Sequence, residues 1–103
     1  MKIVDSHVHV WSLDFERYPF YRYEHLKRME ASAELLLRCM DEAGVAGALI
    51  IQPIVYRFDH SYVTSCLRTW PERFKGMALI NPCDSKANET MERLVEEEGY
   101  RAV

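Results

Sequence analysis

The chain opens with a strand-like alternation and then changes rhythm several times. Over residues 2–11 the β-formers Ile3, Val4, Val8 and Val10 set a period of two. That period puts Val4, Ser6, Val8 and Val10 on one face, and Ile3, Asp5, His7, His9 and Trp11 on the other. A strand that gathers an acid and two imidazoles on one side faces something polar. Residues 12–30 mix aromatics with charges, as in Tyr18-Pro19-Phe20-Tyr21-Arg22-Tyr23, and hold no period. They predict a long loop containing a turn of helix, and loops of that length often serve as lids or binding loops.

From residue 32 the rhythm becomes helical. Ala33, Leu36, Leu37 and Met40 form an i, i+3, i+4, i+7 stripe over 32–43, and Gly44 supplies the stop. Residues 45–52 are nearly all apolar, the signature of a strand buried on both faces of a parallel sheet. A short polar loop, Tyr56-Arg57-Phe58-Asp59-His60, leads into a helix over 61–70 with Tyr62, Val63, Cys66, Leu67 and Trp70 inward; Pro71 closes it. A third strand is predicted over 74–80, ended by Asn81-Pro82. A third helix follows over 84–98, with Ala87, Met91, Leu94 and Val95 inward, and Gly99 caps it before a fourth strand begins at 100–103. The remaining methionines are simplest as packing residues. Glu96, Glu97 and Glu98 are expected to be solvated, acids being poorly placed at a helix C-terminus.

The order β-α-β-α-β-α-β implies right-handed crossovers and a parallel α/β sheet. An open doubly wound sheet and part of a (β/α)₈ barrel both fit it. No glycine-rich phosphate loop follows the first strand, which removes the strongest reason to expect a nucleotide-binding sheet. A complete barrel needs about 250 residues, so 103 residues supply about three of its eight units and the start of a fourth strand. On the barrel alternative the chain is one partial domain over 1–103, cut at its fourth strand.

Composition narrows the partners. Thirteen Lys and Arg against 16 Asp and Glu give a net charge of −3, without the basic stripe a nucleic-acid binder needs. The longest apolar run, 45–51, is far short of a membrane span, and no signal-peptide core precedes Asp5 and His7. Cys39, Cys66 and Cys83 are odd in number and show no CxxC spacing, which points to reduced thiols in a cytoplasmic protein.

The chemistry sits in Asp5-Ser6-His7-Val8-His9-Val10-Trp11. Histidines at i and i+2 of a strand share a side, close enough for two imidazoles to hold one metal. Such a metal would polarise a carbonyl or activate water; the alternative is that both members of the pair are satisfied polar residues with no metal. Its place at the carboxyl end of the first strand is where parallel α/β folds put their sites. Gln52 ends the second strand on the same rim, either donating to a substrate carboxylate or carbonyl or satisfying loop backbone. Tyr56, Arg57 and His60 follow it on the loop, either touching substrate or, as charged loop residues usually are, simply solvated. Trp11 either walls the pocket or joins the core.

These elements together resemble the amidohydrolase superfamily, in its amidohydrolase-related branch of lactonases and decarboxylase-like hydrolases. The resemblance rests on I-V-D-S-H-V-H-V-W, L-I-I-Q-P, D-H-S-Y-V, W-P-E-R-F-K-G-M-A-L-I-N-P and E-G-Y-R-A-V, and so covers nearly the whole chain. It implies a (β/α)₈ barrel that hydrolyses or decarboxylates a small lactone or carboxylated substrate. His7 and His9 would sit at the metal or substrate-carbonyl position, with zinc the expected divalent ion. The family's other histidines and its late aspartate lie on strands that have no counterpart here, so the chain alone is expected to be inactive. A self-associating α/β protein pairing through its exposed sheet edge, and a non-catalytic remnant, are the rival readings.

Overall fold

The computed structural model describes residues 2–103. Four strands, β1 (Val4–Val8), β2 (Gly47–Ile51), β3 (Phe74–Met77) and β4 (Tyr100–Ala102), alternate with three helices, α1 (Ala33–Ala43), α2 (Ser61–Thr69) and α3 (Ala87–Glu97). The strands are all parallel, in the order β1-β2-β3-β4. Strand order that follows the chain is the barrel pattern, in which each crossover returns to the neighbouring position.

All three helices feed one core. Ala33 and Met40 of α1, Val63, Cys66 and Leu67 of α2 and Leu94 of α3 meet Val10, Ala48, Ile50, Phe74 and Tyr100. The molecule is only 19 Å through its thinnest direction, which leaves room for one sheet and one helix layer. The opposite sheet face is uncovered. The accessible surface is 6730 Å², where a compact 12.1 kDa monomer would expose about 6,000 Å². β2 is therefore not buried on both faces as its apolar run predicts. Ala48 and Ile50 are buried, while Leu49 and Ile51 on the other side are half-buried.

Local chemistry sets the ends of the elements. Ser32 caps α1 by accepting from the Leu35 N–H at 3.3 Å, and Gly44 closes it at φ 73°. In the W-P-E-R-F segment, Arg73 ties the start of β3 to the end of α1 and the start of β2. Its Nε donates to Ala46 O at 2.9 Å and its guanidinium pairs with Asp41 at 2.8 Å. Gly76 is required by packing, since a Cβ there would lie 2.7 Å from the Tyr100 ring and 2.9 Å from Leu67 Cδ1.

The first strand departs from strict alternation. Its pairing with β2 shifts register between Asp5 and Val8, a bulge that breaks the period of two. Val4 is 62% exposed and Ser6 is exposed, and only Val8 and Val10 turn into the core. Residues 12–30 are a loop with one short 3₁₀ turn, Glu24–Arg28, but they do not hang free as a lid. Phe20 is buried edge-on against Trp11, Phe15 and Tyr56, and Tyr18 packs on Tyr62. Glu98, expected in solvent, pairs with both Arg68 and Arg93 and joins α3 to α2. Cys39 and Cys83 are exposed and Cys66 is buried, all as free thiols; burial pushes the Cys66 thiol up to about 12, so it stays protonated. No helix among the described residues is long and apolar enough to cross a membrane.

Candidate active site

His7 and His9 come together at the carboxyl end of β1. Their ring centroids are 5.1 Å apart and their planes nearly perpendicular. Both residues are exposed. Alternation over 7–10 keeps both outward while Val8 and Val10 turn in, and Asp5 accepts from the His7 backbone N–H at 3.0 Å beside the register shift. One oxygen of the Asp5 carboxylate thus holds local backbone.

The His9 ring is oriented by the neighbouring strand. Its Nδ1 lies 3.0 Å from the Ile51 carbonyl, and a carbonyl only accepts, so Nδ1 carries the proton. The lone pair of the neutral ring is then on Nε2, free to bind a metal or a substrate proton. An imidazole anchored through one nitrogen to a backbone carbonyl is the usual arrangement for a metal ligand. The pair fits two positions of a metal site. Among the described residues no group of three His, Cys, Asp or Glu converges on a common point, so further ligands must come from elsewhere.

Gln52 is next to this anchor, yet its amide turns away from any ligand. Its Nε2 donates to Arg57 O at 3.1 Å and to Asp59 O at 2.7 Å. Both amide protons are thus committed to loop backbone, and the donor role toward a carboxylate is taken up. Its Oε1 is buried without a partner among the described residues.

Tyr56 and His60 also face inward. Tyr56 is 1% exposed and ends a 3₁₀ turn, Ile54–Tyr56, where sequence reading expects polar loop. Its hydroxyl accepts the Ser12 N–H at 2.7 Å, joining the first loop to the second, and burial pushes its phenol up to about 12. His60 is 8% exposed. Its Nδ1 faces Phe58 O at 3.0 Å and its Nε2 accepts the Leu79 N–H at 3.1 Å, which fixes the neutral Nδ1–H tautomer. Burial pulls its pKa below the ordinary 6.5. Trp11 is half-buried; its indole N–H donates to Met29 O at 3.1 Å and its ring packs on Phe20. His25 lies on the Glu24–Arg28 turn beside Tyr23, exposed. Of the predicted site residues, the structure brings together His7 and His9, while Gln52, Tyr56 and His60 are buried and Trp11 half-buried among loop and core partners of their own.

A parallel sheet whose strand order follows the chain, with a helix after each of its first three strands, is the pattern of a (β/α)₈ barrel. The amidohydrolase family model matches residues 4–103, and the chain belongs to that family. Among solved structures, one assigned as a 2-pyrone-4,6-dicarboxylic acid hydrolase of Pseudomonas putida superposes with a TM-score of 0.76 at 26% identity, covering 99% of this chain and 36% of that one. An Acinetobacter baumannii protein of the same assignment, with citric acid bound, gives 0.75 at 20% identity, over 97% of this chain and 36% of its own. A dihydroxybenzoic acid decarboxylase of Polaromonas sp. JS666, with bound manganese and 2-nitroresorcinol, gives 0.67 at 17% identity, over all of this chain and 38% of that one. The chain thus spans little more than a third of each structure's length, and holds three βα units and a fourth strand of a barrel-type sheet. No curated protein sequence shows significant similarity to it.

Proposed function

We propose that this chain carries the first metal-binding half of a barrel hydrolase or decarboxylase that acts on a small cyclic, carboxylated substrate. The observation that carries the reading is the His7–His9 pair with the His9 Nε2 left free by the Ile51 carbonyl. Support for the substrate class comes from the solved structures of similar fold, two assigned to a pyrone dicarboxylate and one to a dihydroxybenzoate. A divalent ion held by the pair would supply Lewis acidity toward a substrate carbonyl. One of those structures holds manganese, so manganese stands beside zinc as the ion to try. Trp11, Tyr56, Gln52 and His60 act in this reading by holding the rim loops around the substrate.

Two ligands without a third make a weak, easily chelated site, so residues 1–103 by themselves are proposed to be inactive. The uncovered sheet face and the exposed β1 edge, with Ile3 49% and Val4 62% exposed, favour burial against further βα units or self-association. The test follows ring opening of 2-pyrone-4,6-dicarboxylate by ultraviolet absorbance, for the chain alone and for the chain joined to the last five units of a similar barrel. Activity only in the joined protein, lost in His7→Ala and His9→Ala, is the expected result. Turnover indifferent to both histidines would overturn the reading.

A further inference from the structure

Arg57 occupies a backbone conformation made for glycine. Its φ of 49° and ψ of −117° match the first central position of a type II′ turn, where a Cβ crowds the flanking peptide. The surroundings enforce this conformation. Gln52 holds the carbonyls of Arg57 and Asp59, and the protonated Nδ1 of His60 holds that of Phe58 between them. Three successive carbonyls are therefore gripped by two buried side chains. Glycine would satisfy that backbone without strain, whereas arginine adopts it at a local cost.

The side chain is also free to act. Arg57 is exposed and has no carboxylate within ion-pair distance among the described residues. Its guanidinium lies 5.7 Å from the centre of the Phe58 ring, a contact that leaves donor N–H groups available. Its backbone follows the carboxyl end of β2, the parallel neighbour of β1, and so lies on the sheet edge that carries the histidine pair. Ile51 anchors the His9 ring, and the next residue, Gln52, holds the Arg57 main-chain carbonyl.

We propose that Arg57 is a substrate-binding residue that recognises a carboxylate of the ring substrate through its planar, bidentate fork. This deepens the reading above and rests on it for the substrate class. A guanidinium is suited to a planar carboxylate because two parallel N–H donors meet its two oxygens. A preset backbone would hold that fork ready before binding.

The test uses isophthalate, a planar ring with two carboxylates, and its neutral diamide, titrated into the wild-type protein and into Arg57→Gly and Arg57→Lys. Melting temperatures are measured on the same samples. Arg57→Gly should weaken isophthalate roughly tenfold or more, as loss of a charge-assisted pair does, leave the diamide unchanged, and raise the melting temperature by relieving strain. Arg57→Lys should keep the strain and recover part of the affinity. Equal isophthalate affinity in wild type and Arg57→Gly, or no preference for isophthalate over the diamide, would overturn the inference. The two readings fail separately. Arg57-dependent binding without turnover in the joined barrel sinks the hydrolase and spares this site, whereas turnover with an unchanged KM in Arg57→Gly does the reverse.

Discussion

His60 and Leu79 are joined by a bond that exists only while the histidine is neutral: Nε2 accepts the Leu79 N–H at 3.1 Å, and Nδ1 donates to Phe58 O. The imidazole is packed edge-on against Tyr100, with Asp59 and Arg93 as the charged groups acting on it. Protonation would set a second N–H against the Leu79 donor and part the end of β3 from the β2–α2 loop.

Stability should therefore depend on pH through this residue. Burial lowers the folded pKa of His60 below 6.5, so in the window between the two values the unfolded chain binds more protons. Stability then rises with pH across that window and falls on acidification from about pH 6.5. Melting curves from pH 8 to pH 5 should show this loss, and His60→Gln should flatten it while lowering the plateau at pH 8. A His60→Gln protein with the same acid dependence as wild type would assign the effect elsewhere.

Gln52 should matter more for the loop than for any ligand it touches. Gln52→Leu leaves the Arg57 and Asp59 carbonyls without their donors, at a cost of about 1–3 kcal/mol. Gln52→Glu keeps the shape but, ionised, turns acceptor oxygens toward carbonyl oxygens. It should destabilise more at pH 7 than at pH 4, where the protonated acid again donates. Urea midpoints of the three proteins at both pH values measure this directly.

At Gly76 the expected effect is steric. A methyl group would meet the Tyr100 ring at 2.7 Å and Leu67 Cδ1 at 2.9 Å, so Gly76→Ala should cost about 1–3 kcal/mol by overpacking. Pairing it with Tyr100→Leu should return part of that loss in a double-mutant cycle. Simple additivity of the two would place the strain outside this contact.

The fold was legible because it depends on period and punctuation. The stripe Ala33, Leu36, Leu37 and Met40, the stop at Gly44 and the runs at 45–52 and 74–80 each announce their element. His7 and His9 were legible for the same reason, two residues apart on one strand. The bulge between Asp5 and Val8 was not, because it depends on a register with β2 that forms only in the sheet. Nor was the inward turn of Gln52 and His60. Their partners are the carbonyls of Arg57, Phe58 and Asp59, and a carbonyl has no letter in the sequence. Tyr56 read as polar loop because a phenol next to an arginine looks solvated, until Ser12 supplies its hydroxyl with a partner.

The central claim is that His9, held by the Ile51 carbonyl, offers Nε2 together with His7 to a metal. Nitrogen-15 spectra of the four imidazoles test it most directly, recorded before and after zinc is added. The account predicts the Nδ1–H tautomer for His9 without metal, and zinc-dependent shifts of the Nε2 resonance of His9 and of the His7 ring. His25 and His60 should not move, and His7→Ala should abolish the His9 shift. Zinc shifts at His25 or His60 instead, or a His9 ring protonated on Nε2, would contradict it.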